Sequence, residues 1–380
     1  MFKRLQNLGH PNTESCFLWG PRQTGKSTLL KQSFPESLYF DLLLSEEFQR
    51  LRNNPGRLRE EILASSSVGP VIIDEVQLIP ELLNEVQWLM VNRGTRFILC
   101  GSSARKLRRS GANLLGGRAL RYELFPLVSR EIQDFSLDTA LNHGLLPRHY
   151  LSREPGRLMQ AYIGEYLKEE IMAEAASRNI PAFSRFLTAA AFSNGEMVNY
   201  QNIAMDCGVS APTVKAYFDI LSDTLLGRFV PAYRQRPKRR IIEAPKFYFF
   251  DVGLPNFLLR RGRIEAGGEL FGRVFEHFIF QEIIAHSHYS GLSYPVCYWR
   301  TANQREVDFV LGDHEAAIEV KGVEEVQPRH WPGLRDFAED YRAKTKIVVS
   351  RDSAPRNIGD VQILPWKIFL EKLWAGEIIH

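Results

Sequence analysis

The 380-residue chain is long enough for two or three domains, and its composition, 44% hydrophobic and 24% charged, is typical of a globular protein that buries several cores. Its net charge of +4 is too small to indicate a nucleic-acid partner by itself, and its four scattered cysteines, none in a C-x-x-C pair, exclude a disulfide framework or zinc module. Because no apolar run reaches ~18 residues and the polar segment Met1–Gly9 lacks the apolar stretch of a signal peptide, we expect a cytoplasmic protein without membrane contact.

Short apolar runs alternate with helical patterns through the first third of the chain. Buried strands are predicted at Cys16–Trp19, Leu38–Phe40, Val71–Ile73, Phe97–Cys100 and Leu120–Leu124, and a helix at Pro80–Val91. Strands that alternate with helices predict a parallel sheet covered on both faces. We assign this α/β domain to residues 1–130.

The first strand is followed by the pattern G-x-x-x-x-G-K-[ST], and a helix-forming segment begins at Thr28. The pattern comprises Gly20, Pro21, Arg22, Gln23, Thr24, Gly25, Lys26 and Ser27. Its glycines allow backbone N–H groups to surround phosphates, and the helix N-terminus adds partial positive charge. The sequence therefore predicts a site for ATP and Mg²⁺ formed by these residues and Thr28, in which Lys26 pairs with the β- and γ-phosphates and Ser27 ligates the metal.

Two acids follow the buried strand that begins at Val71. Asp74 is expected to hold the Mg²⁺ shell, and Glu75 to polarise the attacking water as general base. The alternative is that both carboxylates cap the next helix. The presence of a phosphate-binding loop favours the metal and base roles.

The strand Phe97–Cys100 ends in Gly101, Ser102 and Ser103. Ser102 is the better candidate for a hydrogen bond to the γ-phosphate or the lytic water, although a serine that merely forms a turn fits equally well. A basic cluster follows, with Arg105, Lys106, Arg108, Arg109 and Arg118. Most such charges only solvate a surface, but an arginine can stabilise the transition state at a neighbouring subunit's ATP, and Arg118 is our candidate.

These motifs together resemble the prokaryotic AAA-type (AAA+) ATPases that carry a C-terminal DUF4143 region. The resemblance rests on Gly20–Ser27, Ile72–Glu75, Gly101–Ser103, Gly117–Arg118 and Phe125–Leu127. It implies an AAA+ core that hydrolyses ATP and works as a ring, most often a hexamer. It does not identify the substrate.

The middle of the chain is predicted to contain a helical lid or linker at 131–194 and a winged helix at 195–255. A short helix from Tyr200, a turn at Cys207–Val209 and a second helix capped by Ser210 have the order of a helix–turn–helix. Thr213 and Lys215 would then lie on the surface that faces DNA.

A basic segment lies between the two strands predicted at Leu226–Tyr233 and Lys246–Asp251. It contains Arg234, Arg236, Lys238, Arg239 and Arg240. Five cations at the tip of a hairpin resemble the wing of a winged helix and would neutralise DNA phosphates. A solvated loop, or a winged helix used only for protein contacts, is the alternative.

The last region, 256–380, returns to mixed α/β. A helix from Phe271 precedes a predicted hairpin, Glu306–Leu311 and Ala316–Val320. Period-2 alternation places Asp308 on the face opposite Val307 and Phe309.

On the second strand of that hairpin, Glu319 and Lys321 share a face. An Asp followed by E-x-K resembles the PD-(D/E)XK nuclease signature, and Glu276 matches an acid that often precedes it. In that restriction-endonuclease-like fold, Glu276, Asp308 and Glu319 would bind Mg²⁺, and Lys321 would orient or activate water or neutralise the pentavalent phosphate. The spacing is loose, and charged pairs across strands are common on exposed sheets.

Three functions fit these features. The first is a ring-forming ATPase motor that binds and remodels or translocates DNA, including branched DNA in branch migration. The second is an ATP-regulated, Mg²⁺-dependent DNA nuclease in defence or repair. The third is a nucleotide switch that acts as a scaffold for a protein partner, which the basic segment disfavours.

Overall fold

The computed structural model describes residues 2–8, 14–67, 69–103, 105, 107, 115–167, 179–235 and 242–380, without the side chains of 165–167. Within these ranges, no helix is both long enough and apolar enough to cross a bilayer.

The N-terminal domain is built on a five-stranded parallel sheet of order β2-β3-β4-β1-β5. Its strands are β1 Ser15–Trp19, β2 Tyr39–Asp41, β3 Val71–Asp74, β4 Phe97–Gly101 and β5 Ala119–Glu123. Its described helices are α1 Lys26–Ser33, α2 Ser45–Asn53, α3 Gly56–Ala64 and α4 Leu82–Arg93. All five predicted strands are confirmed to within a residue or so at each end.

Alternation along the central strands divides the core of this domain into two layers. In β1, Phe17 and Trp19 pack with residues of α2, α3 and α4, whereas Cys16 and Leu18 pack with Leu29 of α1. Helices therefore cover both faces of the sheet, as near-continuous apolar strands require.

The middle of the chain is mostly helical. Its helices are α5 Leu137–His143, α6 Pro147–Tyr150, α7 Pro155–Ala161, α8 Ile180–Phe192, α9 Tyr200–Cys207, α10 Ala211–Asp223 and α11 Gly253–Leu258, and a π-helical turn spans Tyr162–Leu167. The turn between α9 and α10 forms as expected, because Gly208 adopts φ 64° and the Ser210 hydroxyl accepts the Thr213 N–H at 3.3 Å.

The hairpin that follows α10 is shorter than predicted. Its strands, β6 Gly227–Val230 and β7 Lys246–Phe249, are antiparallel. The chain leaves the hairpin after Val230, and Tyr233 N donates to Tyr298 O at 2.7 Å in the C-terminal region. Ile242 N likewise donates to Arg300 O at 2.9 Å, so both ends of the connecting segment lie along the C-terminal sheet.

The C-terminal region contains a six-stranded mixed sheet of order β12-β13-β11-β10-β9-β8. The strands are β8 Val296–Arg300, β9 Glu306–Leu311, β10 Ala316–Val320, β11 Thr345–Ser350, β12 Arg356–Ile358 and β13 Val361–Pro365, and the helices are α12 Phe271–Tyr289, α13 Pro332–Tyr341 and α14 Trp366–Trp374. The predicted hairpin is confirmed with its bounds. One face of the sheet packs on α12 and α14, the other on α13.

The expected alternation along β9 is wrong. Trp299 pairs with Val307 and Cys297 with Val310, so Asp308 and Phe309 together lie opposite Tyr298 in a β-bulge. As a result Val307 packs in the cluster around α13, whereas Phe309 packs in the cluster around α12. A bulge of this kind redirects the side chain at the irregularity, here that of Asp308.

The predicted boundary at residue 130 does not separate two cores. Leu127, Ile132 and Leu145 pack in the same buried cluster as Phe275 and Phe278 of α12. The segment after β5 is therefore part of the C-terminal core.

Candidate functional site

The loop between β1 and α1 is folded around a lysine ammonium. Lys26 Nζ donates to Gly20 O at 2.7 Å and Pro21 O at 3.1 Å, and its side chain is buried. Among the described residues, no carboxylate lies within ion-pair distance of this ammonium. Both of its acceptors are neutral carbonyls, so its charge is available to an anion.

The backbone of the loop is curved by residues in the left-handed region. Gln23 has φ 65° and Gly25 has φ 94°, and the Thr24 hydroxyl donates to Pro21 O at 2.8 Å. At Gly20, a Cβ atom would approach Leu124 O to 2.5 Å, so this position needs glycine. The open first turn of α1 follows, with Ser27 half-buried and Thr28 exposed. Such a nest of N–H groups at a helix N-terminus binds phosphate.

The carboxyl end of β3 carries the two predicted acids. Asp74 Oδ2 accepts the Tyr39 hydroxyl at 2.6 Å, and Asp74 Oδ1 accepts the Glu75 N–H at 3.0 Å. Burial, and then the hydrogen bond to Asp74, raise the pKa of Tyr39 above its usual range, so its hydroxyl remains a donor. The nearby Ser27 hydroxyl acts in the opposite direction and lowers the pKa of Tyr39. The hydrogen bond from Tyr39 holds the Asp74 carboxylate in place at the end of β3.

Glu75 does not cap the following 3₁₀ turn, Val76–Leu78, which excludes that alternative for its side chain. Its backbone is left-handed at φ 57°, and its carboxylate hydrogen-bonds the amide of Gln77. The same Gln77 amide nitrogen donates to the Ser102 hydroxyl at 3.2 Å. Gln77 therefore connects the predicted base to the predicted γ-phosphate contact.

Sequence reasoning missed Gln77. The signal available was its position two residues after an acidic pair at the end of a buried strand. Gly101 is a second indication of the role of Gln77, because a Cβ atom at this position would come within 2.2 Å of Gln77 Oε1.

A second charged cluster lies in the C-terminal region. Asp308 Oδ2 accepts the Val320 N–H at 2.8 Å, and Lys321 Nζ contacts Glu319 Oε1 at 2.6 Å. Burial, and then the charge of Asp308, raise the pKa of Glu319 well above its usual range. The predicted pair of strands thus brings Asp308, Glu319 and Lys321 together.

Lys246, the first residue of β7, also enters this cluster, and the sequence did not predict it. Its buried ammonium lies 2.5 Å from Glu306 Oε1 and 3.6 Å from Glu276 Oε1. Burial alone would lower the pKa of Lys246, but the phenol of Tyr248 and three nearby carboxylates outweigh it and raise that pKa well above its usual value. Arg300 also pairs with Glu306, at 3.0 Å, so two cations contact the same acid.

The expected metal set of Glu276, Asp308 and Glu319 is not formed. In the part of the chain that the structure describes, no group of three or more His, Cys, Asp or Glu side chains is placed to hold a metal ion. Glu276 instead accepts the Tyr248 hydroxyl at 2.5 Å and faces Lys246. A smaller set fits better: Glu319 Oε2 is buried and has no hydrogen-bond partner among the described residues, so Asp308 and Glu319 still offer oxygen ligands.

Family models match almost the whole chain. Residues 12–133 match an AAA domain, residues 134–264 match DUF8612, and residues 271–369 match DUF4143; the last two are described as domains of unknown function. The chain carries an AAA domain and a DUF4143 domain. The resemblance recognised in the sequence is therefore confirmed.

Among curated proteins, the chain is 28% identical over 310 residues to the uncharacterized protein Rv2008c of Mycobacterium tuberculosis. The match covers 77% of this chain and 66% of the relative, so it spans just under two thirds of the relative's length.

Two solved structures are similar to parts of this chain. The Walker-type ATPase PABY2304 of Pyrococcus abyssi is 17% identical, with a TM-score of 0.41, over 66% of this chain and 91% of that one. The Aeropyrum pernix ORC1 protein in complex with DNA is 11% identical, with a TM-score of 0.26, over 65% of this chain and 86% of that one.

In the AAA domain, Arg118 is exposed and directly precedes β5. Ser15 pairs with Ala119, whereas the phosphate-binding loop follows Trp19 at the other end of β1. Arg118 therefore lies at the opposite edge of the sheet, about 13 Å along the strand, and cannot reach its own loop. Of the other basic candidates, Arg105 pairs with Asp223 of α10 at 2.7 Å, and Lys106, Arg108 and Arg109 lie outside the described residues.

Of the described side chains expected to contact DNA in the DUF8612 region, some are exposed and others make contacts within the protein. Lys215 is exposed on α10, but the Thr213 hydroxyl contacts that of Ser210 at 2.8 Å, within the helix cap. Arg234 pairs with Glu243 at 3.3 Å, so its charge is partly neutralised. Arg236, Lys238, Arg239 and Arg240 lie outside the described residues.

Proposed function

We propose that the protein is an ATP-hydrolysing AAA+ ATPase that processes DNA. The observation that carries the proposal is the Lys26 ammonium, held by two carbonyl oxygens in a phosphate-binding loop beside the acids that end β3. A buried cation without an acidic partner is costly unless an anion binds there. The triphosphate of ATP is the anion that this loop fits.

The residues of the loop and of the strand ends have separate roles in ATP hydrolysis. Lys26 pairs with the β- and γ-phosphates, and the N–H groups of the loop orient them. Ser27 and Asp74 would hold Mg²⁺, which neutralises phosphate charge when bound. Glu75 accepts a proton from the attacking water, and Gln77 keeps its carboxylate beside Ser102.

For assembly, we propose a ring, most simply a hexamer, in which Arg118 of one subunit reaches the ATP of the next. Its exposure and its distance from its own loop support a role between subunits. Arg118→Ala should then bind ATP but hydrolyse it slowly, by a factor of roughly 10³ or more. A dilute monomer that hydrolyses ATP at the full rate would contradict this proposal.

For DNA, we propose that α10 and the basic segment after β6 contact the phosphate backbone. Charge reversal at Arg236, Lys238 and Arg239 should weaken binding to all sequences. It should also reduce the slope of log K against log salt by ~0.9 for each phosphate that the protein no longer neutralises. Unchanged affinity and slope would instead favour a protein partner.

The direct test is ATP turnover measured with duplex, single-stranded, forked and four-way DNA. We expect DNA to stimulate turnover, and strand displacement or branch migration to require ATP. If none of the four DNA substrates changes the rate of ATP turnover, the proposal that the protein processes DNA is wrong, and only the ATPase activity remains.

A second candidate function is metal-dependent DNA cleavage, favoured by the convergence of Asp308, Glu319 and Lys321 with a free Glu319 oxygen. With Mn²⁺, Asp308→Ala and Lys321→Ala should abolish cleavage and leave ATP turnover intact. If the wild type cuts none of the four substrates, the cluster is a structural ion-pair network.

A further inference from the structure

Arg4 lies in the segment that precedes β1, yet it contacts three distant parts of the chain. Its guanidinium donates to Thr24 O in the phosphate-binding loop and to Phe125 O, 2.6 Å away, just after β5. It also pairs with Glu131 at 2.9 Å and lies 3.4 Å from the Tyr289 hydroxyl at the end of α12. The guanidinium is almost fully buried, since the side chain is 5% exposed.

The contact with Thr24 has a stereochemical consequence for the loop. A trans peptide bond is planar, so its C=O and N–H point in opposite directions. Because Thr24 O faces Arg4, the N–H of Gly25 is turned away from Arg4. Gly25, at φ 94°, precedes Lys26 and is therefore one of the N–H donors best placed for a phosphate.

The other contacts fix where Arg4 can be. The Glu131 carboxylate also accepts the N–H groups of Leu5, at 2.6 Å, and Val128, at 3.2 Å. The Tyr289 hydroxyl also accepts the N–H of Phe125 at 3.0 Å. Arg4, Glu131 and Tyr289 thus form one buried network between the loop and α12.

Helix α12 belongs to the DUF4143 domain and carries Glu276 of the charged cluster at a more N-terminal turn. Glu282, also on α12, accepts the Ser129 N–H at 2.6 Å and the Trp374 indole N–H at 2.8 Å. The helix is therefore tied to the segment after β5 at two points. A shift of α12 cannot leave Tyr289 and Arg4 in place.

We propose that Arg4 is a positioning residue through which α12 sets the phosphate-binding conformation of the loop, so that nucleotide affinity depends on the state of the DUF4143 domain. Coupling between sites is reciprocal, so nucleotide binding changes α12 to the same extent. This inference rests on the proposed ATP site and adds a route by which the C-terminal half regulates it.

The most selective test is a pair of tyrosine variants. Tyr289→Phe removes only the hydroxyl that contacts Arg4 and the Phe125 N–H. Tyr294→Phe is the matched control, because it also removes a hydrogen-bonded hydroxyl, one that contacts Ile283 O at 3.1 Å and His286 at 2.8 Å, away from the loop. We expect Tyr289→Phe to raise the Kd for ATP by about 3–10-fold and Tyr294→Phe to leave it unchanged.

Arg4 itself is tested by replacement and chemical rescue. Arg4→Ala should raise the Kd for ATP by roughly tenfold or more, and low-millimolar guanidinium should restore part of the affinity. Arg4→Lys should not retain the wild-type affinity for ATP, because a lysine ammonium cannot reach the four acceptors that the planar guanidinium contacts. If Arg4→Ala does not fold, the tyrosine pair decides the question.

Hydrogen exchange provides a readout that a purely structural role would not alter. A non-hydrolysable ATP analogue should slow amide exchange at the C-terminal end of α12 in the wild type and in Tyr294→Phe, but not in Tyr289→Phe. Wild-type protein that binds and hydrolyses ATP without this change, and with equal Kd in both tyrosine variants, would overturn the coupling alone. Wild-type protein that binds no nucleotide would overturn the proposed function and the coupling with it.

Discussion

Two buried lysines, one in the AAA domain and one in the C-terminal charged cluster, have different kinds of partner for their ammonium groups. Lys26 donates to two backbone carbonyls, whereas Lys246 contacts the carboxylates of Glu276 and Glu306. The first ammonium is held in position, and no acid among the described residues neutralises it. The second is neutralised by acids of its own chain.

The difference bears on what each site can do. A preoriented cation without an acidic partner attracts an anionic ligand, so the loop is suited to ATP. A cation already paired with carboxylates contributes to stability and holds β7 against α12 and β9. The comparison therefore places ligand binding in the AAA domain and assigns a clamping role to Lys246.

The largest expected effect on binding is that of Lys26→Ala. Loss of the phosphate-pairing charge should weaken ATP binding on the order of a hundredfold. The free energy of unfolding should change by less than about 1.5 kcal/mol, because the loss of two hydrogen bonds to backbone carbonyls is offset by the removal of a buried charge. Calorimetric ATP titration together with urea unfolding measures both quantities. A large loss of stability would mean that Lys26 is structural.

Lys246→Met should show the opposite pattern. Removing the ammonium leaves Glu276 without the cation that it faces and Glu306 with Arg300 alone, and we expect a loss of about 3–5 kcal/mol in the free energy of unfolding. ATP affinity should stay near the wild-type value. The double variant Lys246→Met, Glu276→Gln should recover part of the stability. A single variant as stable as the wild type would contradict the clamp.

A smaller effect concerns pH. Burial, only partly offset by Lys246, raises the pKa of Glu276 from 4.5 to about 7. Between these values the folded state binds more protons than the unfolded state, so stability should fall as pH rises through this window, by up to about 1.4 kcal/mol per pH unit. Glu276→Gln should remove this contribution and flatten the profile relative to the wild type. Identical profiles would show that Glu276 is not perturbed by its burial.

Glu282 and Asp251 have raised pKa values of about 7 and about 6, and they contribute a background slope of the same sign. The difference between wild type and Glu276→Gln at each pH isolates Glu276, because both proteins share that background.

The sequence predicted the features that depend on local pattern. The phosphate-binding loop, the five parallel strands, the cap at Ser210 and the bounds of the C-terminal hairpin all follow from spacing within a few residues. These patterns are readable because each is enforced by backbone geometry or by alternation between core and surface.

What the sequence could not predict depends on contacts between distant residues. Arg4 and Glu131 are 127 positions apart, and Lys246 and Glu306 come from different family regions. The alternation of residue types along β9 does not predict the bulge at Asp308, because the bulge arises from the register between β9 and β8. Glu276 lies on the expected helix, but its carboxylate contacts Lys246 and Tyr248, which the sequence did not place beside it.

The most direct test of the nucleotide site is a comparison of Glu75→Gln with the wild type in both ATP binding and ATP turnover. The glutamine keeps the shape of the side chain but cannot accept a proton from water. We predict an unchanged Kd for ATP and a turnover number lower by a factor of roughly 10²–10⁴. Wild-type turnover by Glu75→Gln would contradict the assignment of the base and of the catalytic site built around it.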